Sequence, residues 1–164
     1  MRKTEFDEAF MRFEEAGSTI MDRFRLSRLE DARRPTGAES QPCPGQTSWG
    51  NLKRESYGLI KSTLREERGP AIIRKMVADC KRDPAFLYFK GNEFHFGILA
   101  IDQDRFQLDK KQIHSLALQF KYARQHQVEP RHLVGFLYQS GNPKLLPGKL
   151  KSGYFEPGFK PEAW

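Results

Sequence analysis

Apolar residues recur at a helical spacing over the first 34 residues of the chain. The intervals alternate between four and three positions, which is the spacing of a coiled-coil seam. The seam positions are Phe6, Phe10, Phe13, Gly17, Ile20 and Phe24. This pattern predicts one amphipathic helix over residues 4–34. Four phenylalanines on one face need cover, so we expect the helix either to pack on the rest of the chain or to pair with a second copy.

A segment rich in proline and glycine follows at residues 35–47 and predicts a linker, because neither a helix nor a central strand tolerates that composition. Helical spacing returns at Ser48. The pair Gly69-Pro70 is typical of a boundary between two helices. The second of these helices is predicted to stop before Asp83-Pro84.

The pattern changes at residues 86–101, where apolar residues follow one another without a helical period. Two runs, 86–89 and 94–101, flank Gly91-Asn92, and this arrangement predicts an antiparallel hairpin. Residues 105–108 predict a third short strand. The expected fold class is therefore α+β: a helix-rich single domain around a small antiparallel β-hairpin or three-stranded meander.

Helical signals resume at Asp109, which forms a capping box with Gln112. A short turn ending at Pro130 leads into a further helix, and the last 21 residues predict an extended tail in which Pro and Gly alternate with Lys and aromatic residues. The expected organisation is an N-terminal helical arm (1–34), a linker (35–47), an α+β core domain (48–143) and a basic aromatic C-terminal tail (144–164).

The positions of the charged residues along the chain are more informative about function than the net charge. The chain of 164 residues carries 28 basic and 21 acidic residues, a net charge of +7. Residues 1–35 are balanced, the predicted strand region 85–109 is net −2, and the helix pair 110–143 is net +4 with a single acidic residue. Excess positive charge on one part of a protein favours a nucleic-acid partner.

The same helix pair resembles a helix-turn-helix over residues 117–137. Ala123 would allow close helix contact, Val128 would fill the turn, and Leu133 would seat the second helix. Such a motif directs the start of its second helix into the major groove and leaves other cations for phosphates. The residues expected to bind nucleic acid are Lys110, Lys111, Lys121, Arg124, Arg131, His132, Lys149 and Lys151. An ordinary pair of packed helices would have the same sequence pattern.

These features predict a nucleic-acid-binding accessory or regulatory protein, with DNA favoured over RNA. We expect it to self-associate as a homodimer through the N-terminal seam, using Phe6, Phe10, Phe13, Ile20 and Phe24. The alternative is a protein-interaction module, an adaptor or inhibitor, that docks on a protein partner through the aromatic tail or the Phe-rich helix.

Enzyme chemistry is weakly indicated. The four histidines occur singly, without metal-ligand spacing, and Cys43 and Cys80 belong to no CxxC pair, so neither a metal nor another cofactor is expected. One proton-transfer pair is conceivable, namely His95 with Glu93 or Asp102. No run approaches the ~18 apolar residues of a membrane span, and the first residues lack an apolar secretion signal. The cytoplasm is therefore the expected location, with no membrane partner.

Overall fold

The computed structural model describes residues 3–35, 37, 43–80 and 92–158, and within these ranges the regular structure is helical. Seven α-helices are present there. They are α1 (Lys3–Arg33), α2 (Ser48–Arg65), α3 (Gly69–Asp79), α4 (Glu93–Asp102), α5 (Lys110–Gln125), α6 (Leu133–Gln139) and α7 (Leu146–Ser152). Short 3-10 turns precede α2, α6 and α7 and follow α4.

The predicted α+β class is wrong, because the described residues contain no strand. Residues 94–101 form most of α4, and residues 105–108 lie in a 3-10 turn and the loop after it. The physical reason is the packing of this apolar segment against four surrounding helices, together with a helix cap: the side-chain oxygen of Asn92 accepts a hydrogen bond from the Phe94 backbone N–H at 3.1 Å. The other predicted strand of the hairpin, 86–89, lies outside the described residues.

Helix α4 is the centre of the packing, with α1, α2, α3 and α5 around it. Its apolar residues are buried on every side, which explains why they show no helical period. Gly97 permits the close crossing of α4 and α2, since a Cβ atom at this position would lie 2.7 Å from Cγ1 of the buried Ile60. Helix α4 thereby fixes the relative positions of the surrounding helices.

The predicted helix over residues 4–34 is confirmed as α1, and its seam faces the chain's own core. Phe13, Ile20 and Phe24 are buried, while Phe6 and Phe10 are partly buried against the same core. Helix α1 contacts α2 and α4. In this structure, therefore, one chain covers the seam residues that the sequence assigns to self-association.

The prediction of an extended C-terminal tail is wrong for the residues that form α7. Leu146 anchors this helix in the core with 2% of its surface exposed. Gly153 ends the helix in the left-handed region at φ 65°, which glycine adopts without strain. The chain after α7 returns to α5, where Tyr122 donates a hydrogen bond to Glu156. Residues 159–164 lie outside the described residues.

Candidate nucleic-acid interface

Helix α5 presents an exposed basic surface without an acidic residue of its own. It begins at the predicted capping box, in which Asp109 accepts from the Gln112 N–H at 2.8 Å and Gln112 accepts from the Asp109 N–H at 2.9 Å. The apolar residues of α5 face the core. The exposed cationic and histidine positions are Lys110, Lys111, His114, Lys121 and Arg124. Sequence reasoning identified the cations on this surface.

The turn after α5 is fixed by two buried donors on α2. The Val128 carbonyl accepts from the Tyr57 hydroxyl at 3.0 Å and from Lys61 Nζ at 2.9 Å. Gln127 occupies the left-handed region at φ 55°, a conformation that glycine usually supplies in such turns. The direction in which the chain enters α6 is therefore set by packing and hydrogen bonds.

Ionisation of Tyr57 is expected to destabilise the protein at alkaline pH. Burial raises the pKa of Tyr57 from 10.0 to about 12, with a further contribution from Glu129. The folded state holds the Tyr57 proton more tightly than the unfolded state does. The stabilisation that protonated Tyr57 contributes is therefore fully present below pH 10 and is lost as pH rises through 12. We expect a loss of about 2–3 kcal/mol over that interval. Chemical denaturation at stepped pH measures it.

Tyr57→Phe is the matched control for that measurement. It removes the hydroxyl and keeps the ring, so it should cost about 1 kcal/mol near neutral pH and show a shallower alkaline decline. An equally steep decline in both proteins would assign the effect to other groups.

The 3-10 turn that precedes α6 projects two polar side chains away from the core. Leu133 and Phe136 are buried, whereas Arg131 and His132 are exposed. Ala123, Val128 and Leu133 are 0%, 5% and 0% exposed, so all three are buried, as their predicted packing roles require. The helix-turn-helix resemblance of α5, the turn and α6 stays a prediction.

The predicted contact residues do not all remain available. Those that are exposed are Lys110, Lys111, Lys121, Arg124, Arg131, His132 and Lys151. Among them, Arg124 forms an ion pair with Glu93 of α4 at 3.0 Å. Lys149 forms hydrogen bonds within the chain: its Nζ donates to the Ser140 carbonyl at 2.9 Å and to the Glu156 carboxylate. Lys149 is therefore a structural residue in this fold.

Glu156 links the last described residues to α5 and α7. Its carboxylate accepts from the Tyr122 hydroxyl at 2.8 Å and from Lys149, and its backbone N–H donates to Nε2 of His126 at 2.9 Å. Burial alone would raise the pKa of Glu156, but the hydrogen bonds from Lys149 and Tyr122 outweigh it and lower that pKa below its usual 4.5. Burial, with a further contribution from Glu156, raises the pKa of Tyr122.

Acid is expected to release residues 154–158 before the rest of the fold. Because the pKa of Glu156 is lowered in the folded state, its ionised carboxylate stabilises the fold above the usual pKa of 4.5. This stabilisation is lost as pH falls through the lower pKa of the folded state. The Tyr154 N–H, which donates to the Lys149 carbonyl at 3.0 Å, reports this change through its hydrogen-exchange protection.

Glu156→Gln provides the comparison for the acid experiment. The amide cannot ionise, so protection of the Tyr154 N–H should already be reduced near neutral pH and change little on acidification. Retention of wild-type protection in this variant would show that the carboxylate does not hold the segment.

The conceivable catalytic residues on α4 are not brought together. His95 and Asp102 are both buried, and they are separated by about 10 Å along the helix axis. The Asp102 carboxylate accepts from the N–H groups of Gln107 and Leu108 at 3.1 and 3.2 Å, so it shapes the following loop. Glu93 is exposed and paired with Arg124. In the described ranges, no three His, Cys, Asp or Glu side chains form a potential metal site.

A cavity of about 430 Å³ opens beside Lys121 and Arg124. The sequence assigned these two cations to nucleic-acid binding but did not predict the cavity. Asn92 lines it with only 4% of its surface exposed. The Asn92 oxygen caps α4, while its buried Nδ2 has no hydrogen-bond partner among the residues that the structure describes. Leaving such a donor unsatisfied costs about 1–3 kcal/mol, so this feature calls for an explanation. The sequence signal at Asn92 indicated only a turn.

Over the described ranges the fold is all-helical, and the candidate site is the basic surface of α5 with the turn that leads into α6. No protein-family model, curated protein or solved structure matches the chain. None of the described helices combines the length and apolar character needed to cross a membrane.

Proposed function

We propose that this chain is a cytoplasmic accessory or regulatory protein that binds duplex DNA through α5 and the 3-10 turn that precedes α6. The observation that carries the proposal is the exposed, acid-free surface of α5, which a fixed turn connects to Arg131 and His132. Helix-turn-helix proteins use the equivalent positions for phosphate and base contacts.

The availability of the cations supports this assignment. Lys110, Lys111, Lys121 and Arg131 form no ion pair with any residue in the described parts of the chain, whereas Arg23 pairs with Glu55 and Arg105 with Asp22. Cations that are not neutralised within the protein can replace the counterions condensed on DNA. Arg131 and His132 are the side chains placed to distinguish base pairs.

Duplex affinity at two salt concentrations tests the proposal. Fluorescence anisotropy with a labelled duplex at about 50 mM and about 200 mM salt should show binding that weakens steeply, since each phosphate contact releases counterions. The corresponding single strand is measured in parallel. Absence of duplex binding, or binding that is independent of salt, would contradict the proposal.

We also propose that two copies of the chain associate through the outer face of α1, the face that carries Leu26 and Leu29, in place of the predicted seam. Leu26 and Leu29 lie one turn apart and are 53% and 52% exposed, which is unusual for two neighbouring large apolar residues. Sedimentation of wild type and a Leu26→Glu/Leu29→Glu variant tests this. A wild-type monomer, or a dimer that the substitutions leave intact, would exclude this face.

The described part of the tail is used within the chain and does not favour the docking alternative. The Phe155 and His126 rings lie 4.9 Å apart, and Lys149 Nζ lies 5.1 Å from the Tyr154 ring centroid. Tail residues that stabilise their own domain are not available to a protein partner without local unfolding.

A further inference from the structure

Residues 154–158, here called the strap, contact a buried histidine at the end of α5. His126 caps the C-terminus of that helix and is only 4% exposed. The Phe155 ring of the strap lies 4.9 Å from the His126 ring, and the Phe136 ring of α6 lies 4.9 Å from it as well. The imidazole is therefore packed between the strap and the helices that the strap joins.

The hydrogen bonds of His126 assign its protonation state. Nδ1 lies 2.9 Å from the Tyr122 carbonyl oxygen, which can only accept, so Nδ1 carries a proton. Nε2 lies 2.9 Å from the Glu156 backbone nitrogen, whose N–H can only donate, so Nε2 carries none. The two bonds together require the neutral ring.

Protonation of the ring removes the acceptor to which the strap is bound. An imidazolium donates from both nitrogens, so its Nε2–H would face the Glu156 N–H, and two donors form no hydrogen bond. The bond to the Tyr122 carbonyl survives, because Nδ1 donates in either state. Charging His126 therefore acts on the strap and leaves the end of α5 intact.

The ionisable groups of the strap and of α7 do not replace the lost bond. The Glu156 carboxylate would attract an imidazolium, but it already accepts from the Tyr122 hydroxyl at 2.8 Å and from Lys149. The Lys149 ammonium, on α7, would repel an imidazolium. Tyr154, the other titratable residue of the strap, lies against Lys149, whose Nζ is 5.1 Å from its ring centroid.

The other elements near His126 bury no charge beside it. Helix α6 contains no charged residue. The charged and histidine side chains at the end of α5 and in the turn after it are all exposed, namely Lys121, Arg124, Glu129, Arg131 and His132. The polarity of the bond between Nε2 and the strap therefore decides the response to protonation.

We propose that His126 is a pH-sensitive latch, in which protonation of Nε2 releases the strap from α5. Histidine is the side chain whose charge ordinarily changes between pH 5 and 8. Release also withdraws the Glu156 carboxylate from Lys149, whose ammonium keeps the Ser140 carbonyl as a partner and can meet an anion from outside the chain. The latch does not depend on whether the chain binds DNA.

Two NMR measurements on the full-length chain between pH 8 and pH 5 test the latch. Long-range proton–nitrogen correlation of the imidazole shows whether Nε2 carries a proton. Hydrogen exchange gives the protection of the Glu156 N–H. We expect this protection to fall about tenfold over the interval in which Nε2 gains its proton. Protonation of Nε2 with unchanged protection would overturn the proposal, and so would a ring that stays neutral throughout.

His126→Gln retains a hydrogen-bond acceptor and removes the titration. The amide oxygen can accept from the Glu156 N–H, so the strap should stay protected down to pH 5 and open only when Glu156 is protonated, below its usual pKa of 4.5. His114→Gln, at an exposed position of α5, is the matched control and should keep the wild-type profile.

A wild-type pH profile in the His126→Gln variant would assign the release to another group and refute the latch. Should this variant not fold, the comparison of ring protonation with Glu156 N–H protection in the wild-type chain still decides the question.

Discussion

Replacing Lys110, Lys111 and Lys121 by glutamine is expected to weaken duplex DNA binding about 100-fold at near-physiological salt. The three side chains are exposed along α5, and none has an ion-pair partner among the described residues, so the substitutions should leave the fold intact. Losing three phosphate contacts should lower the slope of log affinity against log salt by about 2.7. Anisotropy titrations over a salt series measure both quantities.

A variant with the same loss of charge on another surface provides the control. Arg12, Arg25 and Arg33 lie on exposed positions of α1, away from the proposed interface. Their replacement by glutamine changes the net charge equally and should reduce affinity only slightly, through the long-range field. Equal losses in the two triple variants would mean that total charge, not the α5 surface, governs binding.

Much of the helical organisation could be predicted because local signals and tertiary packing agree. The capping box at Asp109 and Gln112 sets the start of α5, and Gly69-Pro70 sets the start of α3. The apolar spacing of residues 4–34 predicts α1 because one face of that helix is buried and the other is exposed. Where a helix has two distinct faces, its period is visible in the sequence.

The central helix could not be recognised by the same means. The apolar residues of α4 are buried except for the partly buried Phe96, so they give no helical period and match a buried strand equally well. The Gly91-Asn92 pair indicated a hairpin turn, but Asn92 instead caps a helix, and Asn suits both positions. Only the tertiary contacts around α4 distinguish these outcomes.

The sequence predicted those features of the candidate site that depend on residue type alone. It did not predict those that depend on how the helices pack. The cations of α5 were identified because charge is a property of the residues themselves. The internal role of Lys149 depends on Glu156, which the fold of α7 brings next to it. The cavity depends on Asn92 and Phe96 meeting Arg74 of another helix, a juxtaposition with no local signal.

Gly97→Val is expected to destabilise the fold by about 3 kcal/mol. A Cβ at this position would lie 2.7 Å from both Cγ1 and Cγ2 of Ile60 and 2.8 Å from Cδ1, and Ile60 is fully buried. The branched Ile60 side chain has no open space to enter, so relief requires α2 and α4 to separate, which disturbs the centre of the packing. The midpoint of urea denaturation measures the change.

Two further variants assign this cost to the crossing of α2 and α4. Gly135, in α6, has open space around it, so Gly135→Val introduces the same side chain into a helix without a clash and should change stability by less than about 0.5 kcal/mol. Ile60→Ala leaves a cavity that the new valine can partly fill, so the double variant should be less destabilised than the sum of the single variants. Additive losses would contradict direct contact between the two side chains, and with it the close crossing that makes residues 94–101 a helix at the centre of this fold.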